Sequence, residues 1–214
     1  QGLLQASSFG YLWLIPLFPL LGAAINGLGG FFLMRKFGPK VNHSIAVLMP
    51  SLSFVVTVIA FFSLLGLPED ARALHQVLFP FIHVGFFDAD FAFWFDPLSA
   101  TLTLIITFVG TLIHVYSIGY MKGDDSYWRF FAYLNLFMSA MLMLVLGDNF
   151  MIMFIGWEGV GLCSYLLISF WYKEKANAVA GMKAFVVNRV GDFAFVLGLA
   201  FLFWGMMGNF TNHS

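Results

Sequence analysis

Residues 150–171 read FMIMFIGWEGVGLCSYLLISFW, an apolar run interrupted by a single formal charge, Glu158. About 20 apolar residues are enough for a helix to cross the hydrocarbon core of a bilayer. Five further stretches have the same character, so six spans are expected: about Tyr11–Met34, Ser44–Gly66, Pro97–Tyr120, Phe130–Leu146, Phe150–Trp171 and Ala180–Met207. None alternates with period two, as the strands of a lipid-facing barrel would, and helices satisfy their own backbone in lipid. The fold class expected is an all-α integral membrane protein with six transmembrane helices, and residues 1–214 form one membrane domain. Pro16 and Pro19 predict an irregular start to the first span.

Composition agrees. The 214 residues are 61% apolar, 10% charged and 19% aromatic, with mean hydropathy +0.89. Ordinary soluble domains carry about 25% charged residues, so a soluble enzyme and a disordered tail are excluded. A net charge of −1 excludes a nucleic-acid binder. The single cysteine, Cys163, rules out an internal disulfide, an iron–sulfur cluster and a cysteine-type zinc site, and reads as a packing residue. Neither GxGxxG nor GxxxxGK[ST] occurs, so no dinucleotide or nucleoside triphosphate cradle is expected. Gln1 in place of Met implies N-terminal processing or trimming, and no cleavable signal is evident.

Basic residues set the expected orientation. Arg35, Lys36, Lys40, Lys122, Arg129, Lys173 and Lys175 fall on one side and Arg72 alone on the other, seven against one. The positive-inside rule then places both termini on the outer face. The one substantial loop, about Leu67–Asp96, is also outside. Its two aromatic segments, Phe79–Phe87 and Phe91–Phe95, flank Asp88-Ala89-Asp90 and predict a short β-hairpin lying on the membrane surface. In the tight Gly147-Asp148-Asn149 turn, Asp148 and Asn149 are expected to cap the following helix.

Four charges fall inside spans: Glu158, Lys183, Arg189 and Asp192. A charge at the bilayer centre costs at least about 2.5–3.5 kcal/mol, so such groups face protein or water and take partners. A carboxyl removed from water holds its proton, and a cation beside it releases that proton. Glu158 is therefore a candidate proton-relay carboxylate, or else a strut between two helices. Gly156, Gly159 and Gly161 around it allow close approach of another helix or a file of water. Arg189 and Asp192, spaced i, i+3, can pair on one helix face. Lys183 lies some 120° around that helix and either anchors at the interface or takes part in the mechanism. His114, inside the third span, is a proton-path candidate or a histidine hydrogen-bonded between helices; no second central histidine exists to ligate a haem.

Three longer motifs carry a family resemblance. Arg129-Phe130-Phe131-Ala132-Tyr133-Leu134-Asn135-Leu136-Phe137 resembles the fourth helix of the antiporter-like subunits of respiratory complex I, the NADH:quinone oxidoreductase. The run from Gly156 to Leu167 resembles the fifth-helix signature of the subunit L, or mitochondrial subunit 5, type. The run from Met182 to Asp192 resembles the sixth helix, and Asp96-Pro97-Leu98-Ser99 the start of the third.

The resemblance implies a proton-translocating membrane-arm subunit driven by redox chemistry in partner subunits. Those partners would hold the flavin mononucleotide, iron–sulfur clusters and quinone, with no cofactor in this chain. Neighbours would be other membrane-arm subunits, above all the adjacent antiporter-like one, and the lipid bilayer. A bacterial inner membrane is the expected setting. It further implies that Glu158 pairs with a lysine on a broken seventh helix, supported by Arg189 and Asp192. This sequence stops before that helix, so it is expected to be a piece of a longer product or of a split gene, in which Glu158 lacks its cation. A subunit of a multi-subunit Na⁺/H⁺ antiporter is the alternative; a carbon-concentrating transporter module and an assembly scaffold are more remote.

Overall fold

The computed structural model describes residues 7–69, 72–84 and 87–205. Gln1, Asp70, Gly85, Phe86, Met206, Met207 and His213 lie outside the described residues. Chain order is β1 (Ser7–Ser8), α1 (Leu14–Ala24), a π-helical turn (Ile25–Gly29), α2 (Gly30–Phe37), α3 (Pro39–Leu65), β2 (Leu74–Val84), β3 (Phe87–Phe95), α4 (Pro97–Tyr120), α5 (Tyr127–Leu146), α6 (Phe150–Ile168) and α7 (Lys175–Gly205). Among the described residues, six helical segments are long and apolar enough to cross a membrane, with α1, the π turn and α2 forming one of them. Most begin or end a few residues from the hydropathy boundaries. Gly38, at φ 81°, turns the chain so that Pro39 opens α3 five residues before the expected Ser44. Such a φ suits glycine, and proline is preferred at a first helical position because it needs no hydrogen-bond partner there. α6 stops at Ile168, short of Trp171, and α7 starts at Lys175 rather than Ala180.

The first span is irregular at its start, as expected, with turns over residues 10–13 and the N–H groups of Leu14 and Ile15 bonding only three residues back, and it is irregular again in its middle. A regular helix completes two turns in about 7.2 residues. Gly22, Asn26 and Gly30 all face the bundle, eight residues from first to last, and the wider π turn absorbs the difference. The close approaches explain why glycine stands at both ends: a Cβ on Gly22 would sit 2.6 Å from Asn135 Oδ1, and one on Gly30 2.9 Å from Trp128 Cβ. Between them Asn26 is fully buried, donating to the Asn42 carbonyl at 3.3 Å and accepting from Asn42 Nδ2 at 3.1 Å.

The prolines inside the helices are compensated across the bundle. Pro19 has no N–H for the Ile15 carbonyl one turn back; Ser53 Oγ of α3 donates to that carbonyl at 2.7 Å. Pro50 likewise frees the Ala46 carbonyl, and Asn135 Nδ2 of α5 donates to it at 3.4 Å. These buried carbonyls would otherwise lack a partner in a place without water.

α5 is central and touches α1, α3, α4 and α6, while α7 packs on α6. One apolar cluster, including Leu12, Leu64, Phe93, Phe95, Leu142 and Ile152, joins the helices to the sheet. Another, of Ala46, Met121, Tyr127, Phe131 and Phe170, closes the opposite end. At that end also lie the seven basic residues on which the expected orientation rests.

The hairpin is present but is longer than expected, and its turn is displaced. β2 and β3 pair antiparallel from Leu74↔Phe95 to Val84↔Phe87, so Asp88, Ala89 and Asp90 lie in β3 instead of forming the bend. Stacking of Phe79 on Phe91, 5.0 Å between centroids, and the His83–Asp90 contact at 3.2 Å favour this register. β1 adds a third, parallel strand at Leu74 and His75 that the sequence did not announce.

The sheet is stapled to the α5–α6 turn. Asp148 N–H donates to the Ala92 carbonyl at 3.2 Å, and Asn149 Nδ2 to the Asp90 carbonyl at 2.7 Å. Asn149 caps α6 by accepting from the N–H groups of Met151 and Ile152. Asp148 does not cap; its carboxylate instead meets His75 Nε2 at 3.3 Å.

Candidate functional site

Glu158 and Arg189 occupy the middle of α6 and α7, and the structure brings them together. Gly156 and Gly159 make the local geometry possible. A Cβ on Gly156 would run into the Leu144 backbone, and one on Gly159 would sit 2.9 Å from Ala140 Cβ, so these glycines seat α6 tightly against α5. Their face is thereby committed to α5, and Glu158 reaches the α7 side. The close neighbour that these glycines admit is a helix.

Arg189 Nη1 lies 2.6 Å from Glu158 Oε2. Its distance to Asp192 Oδ2 is 3.6 Å. The i, i+3 pair foreseen within one helix therefore exists, but the shorter contact crosses to the neighbouring helix. Glu158 does not lack a cation, because Arg189 supplies one from within this chain. A charge-assisted contact of this length is among the stronger kinds of hydrogen bond. The guanidinium also stacks over the Phe185 ring, 4.9 Å from its centroid, and Phe185 in turn lies against Tyr165.

The other end of the cluster is held by a residue that charge-based reading missed. Trp157 Nε1 donates to Asp192 Oδ1 at 2.7 Å. Trp157 stacks on Phe195, 5.5 Å and 9° between planes, and Phe195 stacks on Phe154, 5.8 Å and 5°. The signal in the sequence was an indole donor beside Glu158 together with an aromatic three residues after Asp192. The cluster is graded in exposure: the Asp192 side chain is 9% exposed, Glu158 26% and Arg189 51%, so it opens towards the outer face of α7.

Lys183 is not brought into this cluster. It is exposed, more than two turns past the start of α7, and makes no ion pair among the described residues. His114 is likewise apart from it, 1% exposed, on the inward face of α4. Its Nδ1 lies 2.7 Å from the Gly110 carbonyl of its own helix, so the expected contact between helices is replaced by one within the helix. Its Nε2 is buried without a partner among the described residues. Cys163 is free and buried. No cluster of three or more possible metal ligands occurs among the described residues.

Residues 81–131 match the family described as NADH-ubiquinone oxidoreductase (complex I), chain 5 N-terminus. Residues 147–213 match NADH:quinone oxidoreductase/Mrp antiporter, TM. The chain is 43% identical over 193 residues to NADH-quinone oxidoreductase subunit L of Mycobacterium tuberculosis, covering 90% of this chain and 30% of that protein. It is 41% identical over 190 residues to NADH-ubiquinone oxidoreductase chain 5 of Allomyces macrogynus, covering 89% and 28%. The chain thus spans less than a third of the length of these curated relatives. Its fold is similar to that of a chain in the archaeal membrane-bound sulfane sulfur reductase, with TM-score 0.69 at 20% identity, over 90% of this chain and 28% of that one. This chain is a multi-pass membrane protein and belongs to the antiporter-like family represented by subunit L and chain 5 of NADH:quinone oxidoreductase.

Proposed function

We propose that these residues are part of a proton-translocating membrane subunit of an NADH:quinone oxidoreductase, with Glu158 as the carboxylate that takes up and releases the proton. The observation that carries this reading is the 2.6 Å pair of Glu158 and Arg189 between two apolar helices. A carboxylate there keeps its charge while the guanidinium is near and takes a proton when it is drawn away. Proton movement is then a population shift in a short chain of charges, biased from outside the site. Asp192 is the second carboxylate that can receive Arg189, and Lys183 and His114 are further positions on the proton path. The flavin, iron–sulfur clusters and quinone belong to partner subunits, and the direct neighbours of this chain are other membrane-arm subunits, above all the adjacent antiporter-like one. The excess of basic residues at the end opposite the sheet supports an orientation with the sheet and both ends of this segment on the outer face of a bacterial inner membrane.

The test is Glu158→Gln in the complete protein within its own membrane assembly, reading protons moved per NADH oxidised in sealed vesicles. Electron transfer should persist while proton movement is nearly lost; an unchanged ratio overturns the reading. A second reading, a subunit of a multi-subunit Na⁺/H⁺ antiporter, is favoured by the matched family's description, which also names the Mrp antiporter. Sodium-driven proton movement in the absence of NADH would select it.

A further inference from the structure

Two carboxylates face one guanidinium, and the structure contains a device that decides between them. Asp192 stands one turn from Arg189 on the same helix face, an arrangement that ordinarily pairs locally. Yet Arg189 Nη1 lies at 3.6 Å from Asp192 and at 2.6 Å from Glu158. What distinguishes the carboxylates is the other oxygen of Asp192, which accepts from Trp157 Nε1 at 2.7 Å. The indole is a donor only and carries no charge to exchange. Its orientation is fixed by the ring stack: Phe154 and Trp157 stand i, i+3 on α6, Asp192 and Phe195 stand i, i+3 on α7, and Phe195 is parallel to both rings of α6.

We infer that Trp157 is a positioning residue that selects the partner of Arg189: by holding Asp192 Oδ1 it satisfies Asp192 without the arginine and leaves the guanidinium to Glu158. This inference rests on the reading of Glu158 as the proton-carrying group. The Trp157 indole N–H is given to Asp192 and not to Glu158, so Trp157 acts through Asp192 and Arg189. A hydrogen bond to a charged group is stronger than a neutral one, and without it Asp192 competes for Arg189 at the expense of Glu158.

The experiment uses the complete protein in its membrane assembly. Trp157→Phe keeps a ring against Phe195 and removes the N–H. The carboxylate stretching band of Asp192, read by infrared spectroscopy with isotope-labelled aspartate and identified by its loss in Asp192→Asn, should move. Proton movement per electron should fall by about tenfold, equivalent to about 1.4 kcal/mol. Added to Asp192→Asn, the same substitution should cost nothing more, because the competing carboxylate is already gone. An unmoved band in an assembled Trp157→Phe variant overturns the inference, as does an equal loss of proton movement with and without Asp192. Where Trp157→Phe fails to assemble, the indole N–H stretching region decides: it must change in Asp192→Asn, and no change there overturns the inference. Glu158→Gln run in parallel separates the two ideas. If that variant still moves protons, the function reading falls, and the contact between Trp157 and Asp192 is judged by the infrared bands alone.

Discussion

Arg189 and Glu158 are 31 positions apart in the chain and 2.6 Å apart in space. The pair crosses from α7 to α6 near the middle of both helices. Removing one partner of a poorly solvated pair leaves the other exposed to the full cost of an unpaired group. Arg189→Leu should therefore reduce proton movement by at least about tenfold, about 1.4 kcal/mol or more, and Arg189→Lys should retain part of it, since a point charge replaces a planar fork. Vesicle acidification measured with a pH-sensitive dye, alongside electron transfer, checks this. Full proton movement in Arg189→Leu would remove Arg189 from the mechanism.

Seating of α6 on α5 depends on glycine. Gly156→Ala places a Cβ against the Leu144 backbone, where no flexible side-chain end can yield. Overpacking of this kind costs about 1–3 kcal/mol, so thermal unfolding in detergent should shift downward and assembly should weaken. Gly191→Ala is the matched control, since nothing lies within 4 Å of its Cβ position. Equal behaviour of the two variants would contradict the packing described.

Ser53 and Pro19 form a compensating pair. Ser53→Ala leaves the Ile15 carbonyl buried without the donor it now has, at a cost of about 1–3 kcal/mol. Pro19→Ala restores an N–H one turn along, so the double variant should recover much of the stability lost by Ser53→Ala. Chemical or thermal unfolding of the three variants forms the cycle, and simple additivity of the two substitutions would argue against it.

At the sheet, the two neighbours in the α5–α6 turn should behave unequally. Asn149→Ala removes the cap of α6 and the bond to the Asp90 carbonyl, and loss of a cap alone costs about 0.5–2 kcal/mol. His75→Ala removes the partly exposed contact with Asp148 and a tilted ring contact with Trp94, for which about 1 kcal/mol in all is expected. A larger loss of thermal stability for His75→Ala than for Asn149→Ala would reverse this ranking.

Much of the site was visible as residue types. Glu158, Arg189 and Asp192 stood out because a charge in an apolar run is costly, and the i, i+3 spacing by itself placed Arg189 beside Asp192. The preference of Arg189 for Glu158 was not visible, because it depends on how α6 and α7 are rotated against each other. Trp157 escaped notice for a related reason: an aromatic in an apolar span reads as lipid-facing until its N–H is seen to point at a carboxylate. The hairpin turn was misplaced because aspartates usually mark bends, whereas here one of them, Asp90, faces His83 across the strands.

Hydropathy is a sum over neighbours in the chain, so the sequence alone determined six spans, their alternating direction, the interhelical hairpin and the four charges that need explanation. Partnership is a matter of distance between elements remote in the chain, and only the tertiary structure decided it. Folding assigned Ser53 and Asn135 to the carbonyls freed by Pro19 and Pro50, and committed Gly156 and Gly159 to α5. It also joined Arg189 to Glu158 while Trp157 holds Asp192. Each of those choices turns on helix rotation and on an ångström or two of approach, which no local pattern of residues encodes.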